Sequence, residues 1–126
     1  MNTYKVNHLH IICQDLQNMI EFWTAGLGAV FKEYRSFGGA EGAVLMVDSL
    51  QVNLRVPKQN EISDNISESS LGYDHVGFEV DNLDSACSHL LESGCSVKTG
   101  PTELSDRKIV FLQGPEDITL ELIEMF

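Results

Sequence analysis

His8, His75 and Glu121 are the residues of this 126-residue chain whose types could do chemistry together. Glu121 stands inside the apolar run Ile118-Thr119-Leu120-Glu121-Leu122-Ile123. In an extended strand Thr119, Glu121 and Ile123 share one face, and Leu120 and Leu122 share the other. A carboxylate turned toward a half-buried sheet face is costly unless something cationic meets it. A divalent cation answers that charge far better than a neutral histidine does. Two imidazoles and one carboxylate around such a cation leave coordination positions open for substrate. That facial set suits Fe(II) and also accommodates Mn(II), Ni(II), Co(II) or Zn(II). Taken singly, each residue has a plainer reading. A histidine on an apolar strand is more often a hydrogen-bonded core residue, and a lone glutamate more often faces solvent.

An internal repeat is what would bring the three together. Asn7-His8-Leu9-His10-Ile11 lies over Asp74-His75-Val76-Gly77-Phe78 at an offset of 67 positions. Gln51-Val52-Asn53-Leu54 lies over Thr119-Leu120-Glu121-Leu122 at an offset of 68. Agreement of both ends within one residue makes a chance repeat improbable. His8 and His75 are thus equivalent positions on two first strands, and Asn53 and Glu121 on two last strands. A pseudo-twofold relation between the modules would converge all four on its axis.

The elements that must hold them follow from periodicity. Residues 6–12 alternate as a strand, with His8 and His10 on one face. Asp15 is a candidate N-cap for a helix whose Leu16, Met19, Ile20, Trp23 and Leu27 recur at helical spacing, stopped by Gly26 and Gly28. Strands are expected at 29–37, 43–47 and 50–56, the last closed by Pro57. Residues 58–72 form a polar linker anchored by Ile62, Ile66 and Leu71. The pattern then restarts: a strand at 73–80, a helix capped by Asn82 or Asp84 and ended by Gly94, and strands at 96–99, 108–112 and 118–124. This predicts an α+β protein, with βαβββ modules at 1–57 and 73–126. Their eight strands would form a curved, incomplete barrel around one cavity.

Other polar residues fill out the expected site. His10 shares the face of His8 and is read as a wall of the substrate pocket. Arg55 is in phase with Asn53; it either meets an anionic substrate group or pairs with one of the chain's many carboxylates. Arg107 and Lys108 carry the same two readings. Glu79 is in phase with His75, and His89 falls on the outside of the second helix.

Composition bounds the partners. A formal charge of −11 argues against nucleic acid. No apolar run approaches the roughly 20 residues of a membrane span, and no secretory leader is visible. Cys13, Cys87 and Cys95 are odd in number and lack C-x-x-C spacing, which predicts reduced thiols and a cytoplasmic protein.

Three segments resemble the vicinal oxygen chelate superfamily, which includes glyoxalases, methylmalonyl-CoA epimerases, fosfomycin-resistance transferases, extradiol dioxygenases and bleomycin-resistance proteins. They are His8-Leu-His-Ile-Ile-Cys-Gln-Asp-Leu with Glu21-Phe22-Trp23 and Gly26-Leu27-Gly28, then Asp74-His75-Val76-Gly77-Phe78-Glu79-Val80-Asp81-Asn82-Leu83, then Gly114-Pro115-Glu116-Asp117 running into Glu121-Leu122-Ile123-Glu124. The resemblance implies that His8, His75 and Glu121 ligate a divalent metal. It puts the family's fourth position on Asn53, where glyoxalases carry a carboxylate and the epimerases a glutamine. It further implies a small substrate with two adjacent oxygens, a catalytic carboxylate that is Glu121 acting as both ligand and base or else Glu79 reaching the pocket, and a homodimer. The expected activity is a glyoxalase-like lyase or isomerase. A non-haem Fe(II) extradiol-type dioxygenase and a metal-free, ligand-sequestering protein of the bleomycin-resistance kind stand as alternatives.

Overall fold

The structure is a computed structural model, and it describes residues 3, 6–61 and 75–126. The chain divides into two compact units, Met1–Ile66 and Ser67–Phe126. The division falls inside the polar stretch 58–72. Its residues 62–72, with their three apolar anchors, lie outside the described residues, as do Tyr73 and Asp74.

The first unit runs β1 (His8–Ile12), α1 (Leu16–Glu21), β2 (Val30–Phe37), β3 (Ala40–Val47) and β4 (Leu50–Arg55). Its sheet has the order β1-β4-β3-β2, with β1 parallel to β4 and the other neighbours antiparallel. Asp15 caps α1, its carboxylate accepting from Asn18 N at 3.0 Å. The helix then widens into a π-turn, Phe22–Gly26, which keeps Phe22 and Trp23 buried. Leu16, Met19 and Ile20 are buried on the same helix, which packs on β3 and β4. Ala43, Leu45, Val52 and Leu54 complete this core at zero exposure. Burying a leucine of this kind contributes about 2 kcal/mol. The β2–β3 hairpin turns at Gly38 and Gly39, both at positive φ (58° and 92°), as a two-residue hairpin loop of matching twist requires. That tight turn lets β3 begin at Ala40 rather than at the expected 43.

The second unit repeats the order: β5 (Val76–Glu79), α2 (Leu83–Glu92), β6 (Ser96–Glu103), β7 (Arg107–Gln113) and β8 (Thr119–Met125). Its sheet is β5-β8-β7-β6, again with one parallel pair, β5–β8. Asn82 rather than Asp84 caps α2, accepting from Ser85 N at 2.9 Å. Glu124 adds a second acceptor for the helix start, taking Leu83 N–H at 2.7 Å. Leu83, Leu90, Val110, Leu112, Leu120 and Leu122 form the core. β6 continues past the expected residue 99 to Glu103, with register shifts around Gly100-Pro101. As an edge strand it tolerates a proline, whose missing N–H is not needed by a second neighbour.

Both units are therefore βαβββ modules of the same topology. Among the described residues no helix is long and apolar enough to cross a membrane.

Candidate metal and substrate site

In each unit the helix packs against the sheet, and His10, Asn53 and Arg55 in the first unit and Glu121 in the second stand on the strand face opposite the buried leucines. Leu120 and Leu122 are buried, whereas Thr119, Glu121 and Ile123 are partly exposed on the opposite face. The period-2 reading of the last strand holds.

His75 Nε2 lies 3.1 Å from Glu121 Oε1. The sheet register explains how they meet. Gly77 is the parallel partner of Glu121. It has no side chain, and a Cβ built there would stand 3.6 Å from Glu121 Oε1. The bare position clears the way for the imidazole two residues earlier. Phe111, the other register partner of Glu121, packs edge-on against the His75 ring at 5.1 Å. The two side chains remain 30% and 17% exposed, so the pair is reachable from solvent. Two ligand atoms each about 2.1 Å from one metal stand roughly 3.0–3.4 Å apart when adjacent. The observed separation fits a shared cation, and an Nε2 proton fills the same gap without one.

In the first unit, His8 Nδ1 meets Asn7 Oδ1 at 2.8 Å. An amide oxygen accepts, so the proton of this bond sits on Nδ1; a neutral ring then has its lone pair on Nε2, the form a metal ligand needs. Within neither unit do three His, Cys, Asp or Glu side chains gather as a metal-holding group among the described residues. His75 and Glu121 come together in the second unit, and His8 belongs to the first.

His10, Asn53 and Arg55 are all brought to the His8 face. His8 pairs in register with Gln51, and His10 with Asn53. Asn53 is buried, and its Oδ1 accepts from Gln51 Nε2 at 2.9 Å. Arg55 is buried, and each of its three nitrogens has a partner. Its Nε donates to His10 Nε2 at 3.0 Å, and its two terminal nitrogens grip Glu61 at 2.7 and 2.9 Å. Of its two readings, the carboxylate pair is the one found. The guanidinium bonds, together with the Lys58 N–H, lower the Glu61 carboxyl to about 2. Burial, then the Arg55 charge, lowers the His10 imidazole from its ordinary value. The His10 ring also packs edge-on against Phe37 at 5.0 Å.

Arg107 is tied to its neighbour Asp106 at 3.0 Å. Its charged form is favoured by that bond first, and further by the negative Glu121 and Glu79. Glu79 is exposed, as is His89 on α2. Lys108 reaches Asp84 at 3.4 Å. Burial pushes the Cys87 and Cys95 thiols up, which keeps them protonated. A cavity of about 330 Å³ beside β2, lined by Leu16, Gln17, Tyr34 and Glu41 among others, includes none of the histidines or Glu121.

Gln51, Glu61 and Gly77 were not singled out from sequence. Gln51 was legible as the residue two before Asn53 on one strand face. Gly77 was legible as the repeat equivalent of His10. Glu61 lies beyond Pro57 in a short 3₁₀ turn, and nothing in the sequence paired it with Arg55 over the chain's other carboxylates.

Two βαβββ units with this strand order define the class of fold. The chain belongs to the glyoxalase/bleomycin resistance protein/dioxygenase superfamily, whose family model matches residues 5–122. It is 29% identical to a lactoylglutathione lyase of Schizosaccharomyces pombe, over 98% of this chain and 48% of that protein. The chain thus spans about half the length of this curated relative. Among solved structures, a glyoxalase family protein of Bacillus cereus superposes with a TM-score of 0.85 at 17% identity, covering 100% of this chain and 97% of the other. A variant of the fosfomycin resistance protein FosX of Listeria monocytogenes, complexed with Mn(II) and 1S,2S-dihydroxypropylphosphonic acid, superposes with a TM-score of 0.75 at 14% identity, over 96% and 90% of the two chains. At these identities the likeness to solved structures concerns the fold.

Proposed function

We propose that this protein is a divalent-metal-dependent lyase or isomerase of glyoxalase type, with His8, His75 and Glu121 as the ligands. The observation that carries this reading is the 3.1 Å approach of His75 Nε2 to Glu121 Oε1 across the bare Gly77. The His8 Nε2 lone pair, left open by the Asn7 bond, supports it. So does the Mn(II) in the FosX relative. A cation bound there would supply Lewis acidity to two neighbouring oxygens of a small substrate. The chain's own groups do the remaining work. Glu121 takes and returns the proton on the adjacent carbon. Phe111 orients the His75 ring, and His10 and Asn53 line the substrate face. The protein acts as a cytoplasmic homodimer, which sedimentation at micromolar concentration tests.

The assay is turnover of the methylglyoxal–thiol adduct by protein loaded in turn with Ni, Co, Mn, Fe and Zn. Turnover with at least one metal, lost in Glu121→Gln, is expected. No turnover with any of the five overturns the reading. Asn53 favours a second reading. Its oxygen is already engaged by Gln51, which leaves three protein ligands, as in a non-haem Fe(II) dioxygenase. Oxygen uptake on a panel of catechols after anaerobic iron loading decides for or against it.

A further inference from the structure

Among the differences between the two halves of the repeat, one pair of adjacent positions bears on ligand binding. Where the second unit has Gly77 beside Glu121, the first has His10 beside Asn53. The second unit's pair exposes a carboxylate. The first unit's pair carries donors, and the hydrogen bonds around it show why. His10 Nε2 accepts from Arg55 Nε, so the ring proton must sit on Nδ1. Asn53 Oδ1 accepts from Gln51, so the Asn53 group left to offer is its NH₂. Each side chain has its acceptor atom occupied from the protein and its N–H left over. Among the described residues, no side chain hydrogen-bonds His10 Nδ1.

We propose that His10 Nδ1–H and the Asn53 side-chain amide form a two-donor receptor for a carboxylate on the substrate. The two residues are register partners on adjacent parallel strands, about 4.8 Å apart at the backbone. That spacing lets one carboxylate take a hydrogen bond on each oxygen. Hydrogen bonds to a charged acceptor are roughly twice as strong as neutral ones. The donors themselves are uncharged, so their site carries no unpaired charge when it is empty. Arg55, held by Glu61, is the positioning residue: it fixes the tautomer without touching the ligand. The chain's strongly acidic balance makes such a local receptor necessary, since bulk charge repels an anionic substrate. Calling the carboxylate part of a substrate rests on reading this face as the substrate face; the receptor itself needs no metal.

The test is a titration of metal-stripped, ¹⁵N-labelled protein with lactate, followed by NMR at the His10 ring and the Asn53 side-chain amide. Both signals should move together and saturate. His10→Asn, which keeps a donor near the Nδ1 position, should bind lactate within about threefold of the parent. His10→Phe and the isosteric Asn53→Asp should weaken it about tenfold or more. Working with metal-stripped protein separates this receptor from the metal. Backbone spectra report whether each variant is folded. Absence of saturable shifts in the parent, or shifts that persist in folded His10→Phe and Asn53→Asp, would overturn the proposal.

Discussion

Glu121 Oε1 and His75 Nε2 stand 3.1 Å apart beside Gly77, the register partner of Glu121. A small residue at that register position leaves room for an imidazole and a carboxylate to share one proton or one cation.

Gly77 should accept alanine and refuse bulk. A Cβ there would make only ordinary contacts, at 3.6 Å, to Glu121 Oε1 and Ile123 Cδ1. Gly77→Ala should raise stability by about 0.5 kcal/mol, because glycine in a strand loses more chain entropy on folding. Gly77→Leu should part His75 from Glu121 and lower metal affinity by tenfold or more, on the order of a disturbed supporting contact. Thermal melts and metal titrations of the two variants check the contrast.

Gly42 behaves in the opposite way. A Cβ at that position would run into the Leu54 carbonyl oxygen and the Phe37 ring. Gly42→Ala should cost about 1–3 kcal/mol in urea unfolding, the usual range for overpacking. It should also shift the His10 ring resonances, since Phe37 packs edge-on against that ring.

The Arg55–Glu61 pair sets an acid limit. The Glu61 carboxyl is lowered from 4.5 to about 2 in the folded protein. Its contribution to stability is therefore complete above its ordinary value and is lost as pH falls through about 2. The stability difference between the parent and Glu61→Gln should be flat from pH 7 to about pH 5. It should shrink below that and be lost as pH falls through about 2. Urea midpoints measured across this range give the curve, and a difference that grows on acidification contradicts it.

Much of this architecture was legible before any coordinates. The 67-position offset located both first strands, and alternation assigned the faces of β8 from Leu120 and Leu122 alone. Asp15 announced the start of α1 because only a short polar acceptor satisfies the free N–H groups of a first turn. What stayed hidden depended on contacts distant in sequence. Arg55 could have met any of the chain's many carboxylates, and only the fold brings Glu61 to it. The extension of β6 past Pro101 was unreadable because an edge strand forgives a residue that would end a central one. The Gln51–Asn53 bond needed the geometry as well. Spacing shows that two amides share a face, but not that one occupies the other's oxygen.

The measurement that bears most directly on the metal reading is the metal content of the purified protein, compared with that of His75→Ala under the same conditions. The account predicts close to one divalent cation per chain in the parent. It predicts binding weakened on the order of 100-fold or more in the variant, beyond what loss of a merely supporting contact causes. A parent that neither carries nor takes up a divalent metal, or a folded variant that binds it equally well, would contradict the role given to His75 and Glu121.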